Sequence, residues 1–527
     1  MDPLLGTLRL TRLVLRLDWP RLLTWVAVLA GFPILTAGAF VELYADAASR
    51  NGLVATFGAN PAYAALLGPI YDSSIGALTA WRIGVIGGVL ASLMAILLMI
   101  RHTRDEEETG RRELLGATVV GRYAPLAAAL LIVIGTGALI GGLVALGLLQ
   151  LELPQAGALA YGLGVFAIVI VFAAVGSVVA QLTHGGGTAR GLGMAILGLA
   201  FVLRAAGDAS GPEFLGWLSP LGWFTRLRPF AENRWWVLLL SGTLSLVLAM
   251  LGFALASRRD IGAGVLSPRA GPERAPTSLN GPFGLAWRLQ RASLVGWTAG
   301  LAVIAALYGT VANNVDELMS GNPQLAAVLE ALGGTEAITA TFFAFTAGIL
   351  ALFASAYSVR TALRLRVEEE NQRAEPILAT ATPRAAFMAS HLLVAIAGSA
   401  VMLGVGGVIM GATYGANVGD VAGQLVSVSA TVLGQVPAVW VITGAAAALF
   451  GLLPRLTSLA WALLVACLVV GQLGQILRFP QWLLNLSPFT HLTAGSGFLP
   501  VAVLLGIALV LLGAGFGGFR ARDLATS

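Results

Sequence analysis

The chain has 527 residues, of which 57% are hydrophobic and only 11% are charged, with a formal net charge of +5 at pH 7. A soluble protein normally carries about 25% charged residues, so this composition excludes an ordinary soluble globular protein and predicts an integral membrane protein. All 31 basic residues are arginine, which excludes a P-loop ATPase because that motif needs a lysine on the phosphates.

Residues before the first apolar run form a basic amphipathic pattern. Arg9, Arg12 and Arg16 share one helical face, while Leu10 and Leu13 share another. This spacing predicts an N-terminal interfacial helix. The alternative is a charged flank of the first membrane span.

Twelve apolar runs are long enough to cross a bilayer as helices, which takes about 20 residues. In the first half they lie at about Leu22–Val41, Ile83–Ile100, Leu126–Leu149, Ala158–Leu182, Gly191–Ala205 and Trp236–Ala256. In the second half they lie at about Leu294–Val311, Thr341–Tyr357, His391–Thr413, Val426–Leu453, Ser458–Leu477 and Val501–Phe519. We therefore predict an all-α integral membrane protein with about 12 transmembrane helices.

The arginines are distributed unevenly between the loops. If both termini are cytoplasmic, 24 arginines lie in cytoplasmic segments and seven on the other face, as the positive-inside rule requires. The net charge therefore indicates membrane orientation rather than nucleic-acid binding. We expect a multi-pass protein of a bacterial plasma membrane.

The sequence repeats itself at a distance of 262 residues. Without a gap, this shift aligns the first acidic segment, Arg104–Arg122, with the second acidic segment, Arg366–Arg384. The repeat predicts two parallel six-helix repeats related by an axis along the membrane normal. The predicted domains are residues 1–256 with the interfacial helix, a cytoplasmic linker at 257–280, and residues 281–527.

The acidic segments follow the second span of each half and carry paired charges. Glu107 and Arg111, and likewise Glu369 and Arg373, have the i,i+4 spacing of favourable pairs on a solvated helix. That bland interpretation is the alternative to a functional one. Because the segment occurs twice on the arginine-rich face, we interpret it as a paired docking site for a soluble partner.

These features together resemble a known family. The acidic segment after span two, the Leu-Ser-Pro segment before span six and the twelve spans resemble the permeases of ABC-2-type exporters. More narrowly, the chain is similar to fused, double-length permeases that export polyketide antibiotics such as tetronasin. The resemblance implies that the loop between spans two and three contacts the ATPase, through Glu106, Glu107, Glu108, Arg111 and Glu113, and through Glu368, Glu369, Glu370, Arg373 and Glu375.

The Leu-Ser-Pro segments are flanked by aromatic residues on the predicted outer face. The resemblance implies that they form outer-face hairpins, and the alternative is an interfacial aromatic belt. The residues concerned are Leu218, Ser219, Pro220, Leu486, Ser487 and Pro488.

The resemblance also implies the partners. Two copies of a separate P-loop ABC ATPase would supply the motor and bind ATP and Mg, with no cofactor in this chain. The expected cargo is a hydrophobic drug, antibiotic or lipid-like molecule. The chain itself is expected to be a transport subunit and not an enzyme.

Few polar residues lie inside the predicted spans. Possible pathway-lining residues are Arg204, Gln435, Gln472 and Gln475, although hydrogen bonds between helices are the favoured explanation for the three glutamines. We expect no catalytic or metal site. An ion-coupled secondary transporter is the alternative function, disfavoured because we find no carboxylate at mid-membrane, and a lipid-modifying membrane enzyme is a weaker one.

Overall fold

The chain forms two compact helical units, Met1–Ala270 and Gly271–Ser527. The structure is a computed structural model that describes residues 2–58, 61–110, 119–209, 212–260, 263–265, 273–312, 334–473, 480–492 and 497–523. These described residues contain helices and connecting turns but no strand.

In the first unit, a central helix, α6, packs against α4, α5, α7 and α10. The helices of this unit are, in chain order, α1 (Thr7–Leu43), α2 (Ala47–Phe57), α3 (Pro61–Leu67), α4 (Ile75–Glu108), α5 (Ala124–Gln150), α6 (Gln155–Leu182), α7 (Gly186–Ala209), α8 (Phe214–Trp217), α9 (Pro220–Leu227) and α10 (Val237–Arg258).

In the second unit, one long helix, α15, packs against α11, α12 and α16, and α17 packs against the last helix, α20. The helices of this unit are, in chain order, α11 (Pro282–Ala312), α12 (Gly334–Ala362), α13 (Arg364–Glu370), α14 (Ala374–Leu378), α15 (Arg384–Val418), α16 (Val421–Leu433), α17 (Val436–Leu452), α18 (Leu459–Leu473), α19 (Gln481–Leu484) and α20 (Phe498–Ala521).

The lengths and hydropathies of these helices match a membrane protein. Among the described residues, 11 helices are long and apolar enough to cross a bilayer. The remaining predicted span, Ser458–Leu477, corresponds to α18, which is apolar over Leu459–Val470, and part of that span lies outside the described residues. The prediction of an all-α, multi-pass membrane protein is confirmed.

Polar caps explain why helices begin before the apolar runs. The Ser74 hydroxyl accepts a hydrogen bond from the Ala77 N–H (3.4 Å), and α4 therefore begins at Ile75 instead of the predicted Ile83. Asp46 likewise accepts from the Ser49 N–H (2.8 Å) at the start of α2.

Glycines let the helices approach closely. A Cβ on Gly141 of α5 would lie well under 3.0 Å from the carbonyl oxygen of Gly162 on α6. In the second unit, a Cβ on Gly451 of α17 would meet the carbonyl oxygen of Gly515 on α20 in the same way. Small residues at such contacts are typical of membrane helices, which associate by close packing.

The predicted N-terminal interfacial helix is not a separate element. Its residues form the first four turns of α1, which continues to Leu43. The carbonyl oxygens of Pro3 and Leu5 accept hydrogen bonds from the N–H groups of Tyr123 (2.9 Å) and Gly121 (2.8 Å). The chain before α1 is therefore fixed to the start of α5.

The beginning of the predicted linker at 257–280 is folded onto the first unit. Its first two residues end α10. The Val265 N–H donates to the Gln181 carbonyl oxygen (3.1 Å), and the Gly264 N–H donates to His184 Nδ1 (3.2 Å). Such contacts order residues that composition alone assigns to a free linker.

Candidate functional site

The first acidic segment begins within α4. Residues Arg101–Asp105 form a π-helical turn, and Glu106–Glu108 complete the helix. Single π-turns inside α-helices are frequent at functional sites. After this turn, the Glu107 side chain enters the interior of the unit, where only 1% of it is exposed.

Glu107 is held by a bidentate ion pair with Arg259, the residue after α10. Arg259 Nη2 donates to Glu107 Oε1 (2.7 Å) and Nη1 donates to Oε2 (3.0 Å). Arg104 Nη1 also donates to Oε2. Two parallel charge-assisted bonds fix both the distance and the angle between the two side chains.

Further hydrogen bonds join this ion pair to α6. Arg259 Nε donates to Gln181 Oε1 (2.6 Å), and Arg104 Nη2 donates to the carbonyl oxygens of Ala263 (2.8 Å) and Thr183. Burial lowers the pKa of the Arg259 guanidinium, whereas the facing carboxylate favours its charged form. The cluster therefore holds together the ends of α4, α6 and α10.

The second acidic segment has the same central contact. Glu369 of α13 accepts from Arg522, the residue after α20, at 2.6 Å (Nη1 to Oε1) and 2.7 Å (Nη2 to Oε2). The Arg522 guanidinium also lies over the rings of Phe450 (5.0 Å) and Phe519 (5.3 Å). Only 4% of the Glu369 side chain is exposed.

Each acidic segment ends in an arginine that binds the same helix end. Arg122 Nη2 donates to the carbonyl oxygens of Ser257 (2.8 Å) and Arg259 (3.2 Å). Arg384 Nη1 donates to the carbonyl oxygens of Arg522 (2.6 Å) and Phe519 (3.3 Å). Both ends of each acidic segment are thus attached to the end of the last helix of its unit.

Other residues of the acidic segments lie at the surface or near it. Glu370 pairs with Arg366 (2.8 Å), and 55% of its side chain is exposed. Arg373 and Glu375 are exposed, and Glu106 is half-buried. Glu108 is exposed and accepts a hydrogen bond from the Gly186 N–H (2.9 Å). Glu368 is buried and pairs with Arg364 (2.9 Å). The last two predicted residues, Arg111 and Glu113, lie outside the described residues.

The first helix of each unit is also joined to this region, by different chemistry. Asp18 of α1 is buried and accepts from Arg101 Nε (2.7 Å) and Nη2 (3.0 Å). In the second unit, Gln290 of α11 bonds to His391 of α15 (2.9 Å). The first unit therefore uses an ion pair where the second uses neutral groups.

The first Leu-Ser-Pro segment starts helix α9. The Ser219 hydroxyl accepts from the Gly222 N–H (3.4 Å) and donates to the Ala200 carbonyl oxygen of α7 (2.6 Å). Pro220 occupies the first turn of α9, and 62% of Leu218 is exposed. The segment therefore caps α9 and attaches it to α7.

Arg204 lies in a buried ionic cluster next to this segment. None of its side chain is exposed, and it donates to Asp208 (3.4 Å) and to the Ala65 carbonyl oxygen at the end of α3 (2.6 Å). Arg226 of α9 donates to the other Asp208 oxygen (2.9 Å). The predicted pathway-lining role of Arg204 stays a prediction.

The second Leu-Ser-Pro segment lies beside another predicted pathway residue. Leu486 is 68% exposed, whereas Ser487 and Pro488 are buried, and Pro488 begins a 3₁₀ turn. Gln435 is buried, and its amide donates to the Leu492 carbonyl oxygen (2.7 Å). The side chain of Gln472 and the whole of Gln475 lie outside the described residues.

Known proteins similar to this chain are membrane permeases. Residues 279–520 match the family model described as the C-terminal domain of the multidrug efflux system permease Rv1217c. The multidrug efflux system permease protein Rv1217c of Mycobacterium tuberculosis is 43% identical over 525 residues, covering 98% of this chain and 95% of the relative. The chain belongs to the multidrug efflux permease family.

In this permease, the structure brings together some predicted site residues and separates others. Glu107 and Glu369 are buried anchors, while Glu370, Arg373 and Glu375 face outward. Sequence reasoning missed Arg259 and Arg522, because they lie 152 and 153 residues from their partners. A signal existed in the repeat, since the two arginines stand 263 residues apart, one more than the spacing of the acidic segments.

Proposed function

We propose that this permease is the transmembrane part of an ATP-driven exporter of the ABC-2 type. It moves hydrophobic drugs, antibiotics or lipid-like molecules out of the cell, and two copies of a separate P-loop ATPase bind ATP and Mg and drive it. One observation carries the proposal: each unit anchors an acidic segment on a buried glutamate, and in the second unit the rest of that segment is described and largely exposed.

Two further facts support the proposal, one for the activity and one for a separate motor. The relative from Mycobacterium tuberculosis is named a multidrug efflux system permease, which supports drug export as the activity. The chain has no lysine, so it cannot carry the usual phosphate-binding lysine of a P-loop. If ATP drives the export, a partner chain has to bind and hydrolyse it.

The exposed part of the second acidic segment has the composition of a docking surface. Val367 is 45% exposed, and Glu370, Asn371, Arg373 and Glu375, which follow it in the sequence, are also exposed. An apolar centre with a charged rim is common in protein interfaces. An ATPase that binds this surface more tightly in one state of the permease shifts the balance between the two states.

The test combines purification with transport. The candidate ATPase is co-expressed with the permease, and we expect it to co-purify and to hydrolyse ATP faster when a hydrophobic drug is added. Glu375→Arg should weaken ATPase binding at least tenfold. The matched control is Glu42→Arg, an exposed glutamate at the far end of α1, which should bind normally.

Two results would contradict the proposal. One is equal ATPase binding by Glu375→Arg and wild type. The other is transport that stops when the proton gradient is collapsed while ATP remains plentiful, which would instead favour an ion-coupled transporter.

A further inference from the structure

The attachment of each acidic segment to a distant helix end is the most specific feature of the two units. A glutamate near the start of the segment and an arginine at its end both bind the residues that close the last helix. The two ends of each acidic segment are therefore attached to one and the same helix end. In the first unit this is the C-terminal end of α10, and in the second unit it is the C-terminal end of α20.

The same construction occurs twice with different surroundings. Arg259 is enclosed by Gln181 and by the carbonyl oxygen of Ala263 (2.9 Å). Arg522 is instead packed on two aromatic rings and remains 15% exposed. Three contacts are common to both units: the bidentate pair, the terminal arginine, and a second arginine three residues before the glutamate, which is Arg104 for Glu107 and Arg366 for Glu369 (3.7 Å).

The chemistry of the pair makes it a stiff connection. A guanidinium presents two N–H groups in a fixed plane, and a carboxylate receives both, so the pair resists bending as well as separation. Removing Arg259 or Arg522 would leave the buried glutamate with one arginine and without its bidentate partner, which is costly. A displacement of the acidic segment therefore displaces the last helix before the pair breaks.

We propose that Arg259 and Arg522 are positioning residues that attach the ATPase-docking segments to the last helix of each unit, so that segment and helix move together. This inference rests on the proposed function. It identifies α10 and α20 as the helices that first receive the motion of the ATPases. Of the two described residues after Ala521, only Arg522 pairs with the acidic segment.

The second unit allows a test at single-residue precision. One variant ends after Asp523 and keeps Arg522, and the matched variant ends after Ala521 and removes it. Both are reconstituted with the co-purified ATPase, and the drug moved per ATP hydrolysed is measured. We expect the variant ending at Asp523 to match wild type and the variant ending at Ala521 to fall at least fivefold, with ATPase binding retained.

Substitutions within the full chain separate positioning from mere stability. Arg522→Lys keeps the charge but loses the planar fork, so we expect an intermediate ratio of drug to ATP, and Arg522→Gln should match the shorter truncation. Spin labels on Thr380→Cys and Arg520→Cys, in a Cys467→Ala background, report the distance between segment and helix. On ATP binding this distance should stay constant with Arg522 present and change in Arg522→Gln.

The outcomes distinguish this inference from the proposed function. An unchanged ratio of drug to ATP in both the shorter truncation and Arg522→Gln overturns the inference while leaving the ATPase assignment intact. A distance that changes equally with and without Arg522 also overturns it. Failure of wild type to bind any ATPase contradicts the proposed function instead. If Arg522→Gln does not fold, the drug moved per ATP hydrolysed is compared between Arg522→Lys and wild type, and equal values overturn the inference.

Discussion

Replacing Glu107 with glutamine should destabilise the protein far more than the same change at Glu370. Both glutamates form ion pairs in an acidic segment, but 1% of the Glu107 side chain is exposed against 55% for Glu370. Breaking a buried pair by neutralising one partner costs about 3–5 kcal/mol. Since glutamine keeps one hydrogen-bond acceptor, we expect about 3 kcal/mol for Glu107→Gln and below about 1 kcal/mol for Glu370→Gln.

The protein is unfolded in mixed micelles by titration with a denaturing detergent, and the free energy of unfolding is obtained from the titration. Arg104 and Arg259 are both directed at Glu107, so the glutamine variant leaves two cations close together without a full counter-charge. Added salt should recover little of the lost stability, because buried pairs are screened weakly. Equal unfolding free energies for the two variants would refute the burial argument.

Three further predictions concern single positions in the first unit. Gly141→Ala places a methyl group against a backbone carbonyl and should lower the stability by about 1–3 kcal/mol. Gly142→Ala, with nothing within 4 Å of its Cβ, should be neutral or slightly stabilising. The thermal unfolding temperatures of the two variants test this difference. Asp208→Asn removes the counter-charge of two buried arginines and should lower the yield of folded protein, measured by size-exclusion chromatography. Ser219→Ala removes the cap of α9 and should cost about 1 kcal/mol, and no change in unfolding would argue against the cap.

The sequence predicted the helical spans well because the physical cause is local. A run of about 20 apolar residues crosses a bilayer whatever its neighbours are. The ends were less accurate where polar residues belong to the helix. The charged turns of α1 before Leu22 and the start of α4 before Ile83 are examples. In α4 the Ser74 cap, and not hydropathy, determines where the helix begins.

The partners of the buried charges could not be predicted in this way. The spacing of Glu107 and Arg111 satisfies the i,i+4 rule, and nothing in the local sequence indicates that Glu107 instead faces the interior. Its ion pair with Arg259 depends on how α4 and α10 end next to each other. Arg204 is similar, because its partners come from α3 and from its own helix, and only the tertiary structure shows that its charge is balanced.

The two attachments are alike in geometry but differ in how strongly they are held. Both glutamates are paired with two arginines. The two around Glu107 are at most 4% exposed and their cluster reaches three helix ends, whereas Arg522 is 15% exposed and Arg366 is 19% exposed. Water reaches an enclosed ion pair less easily, so the pair of Glu107 and Arg259 should open more rarely than the pair of Glu369 and Arg522. If the two proposed ATPases act alternately, the second unit is therefore the one whose segment can separate from its helix at lower cost. Hydrogen exchange tests this difference between the two units. Backbone amides around Glu369 should exchange faster than those around Glu107, and the reverse order would contradict the argument.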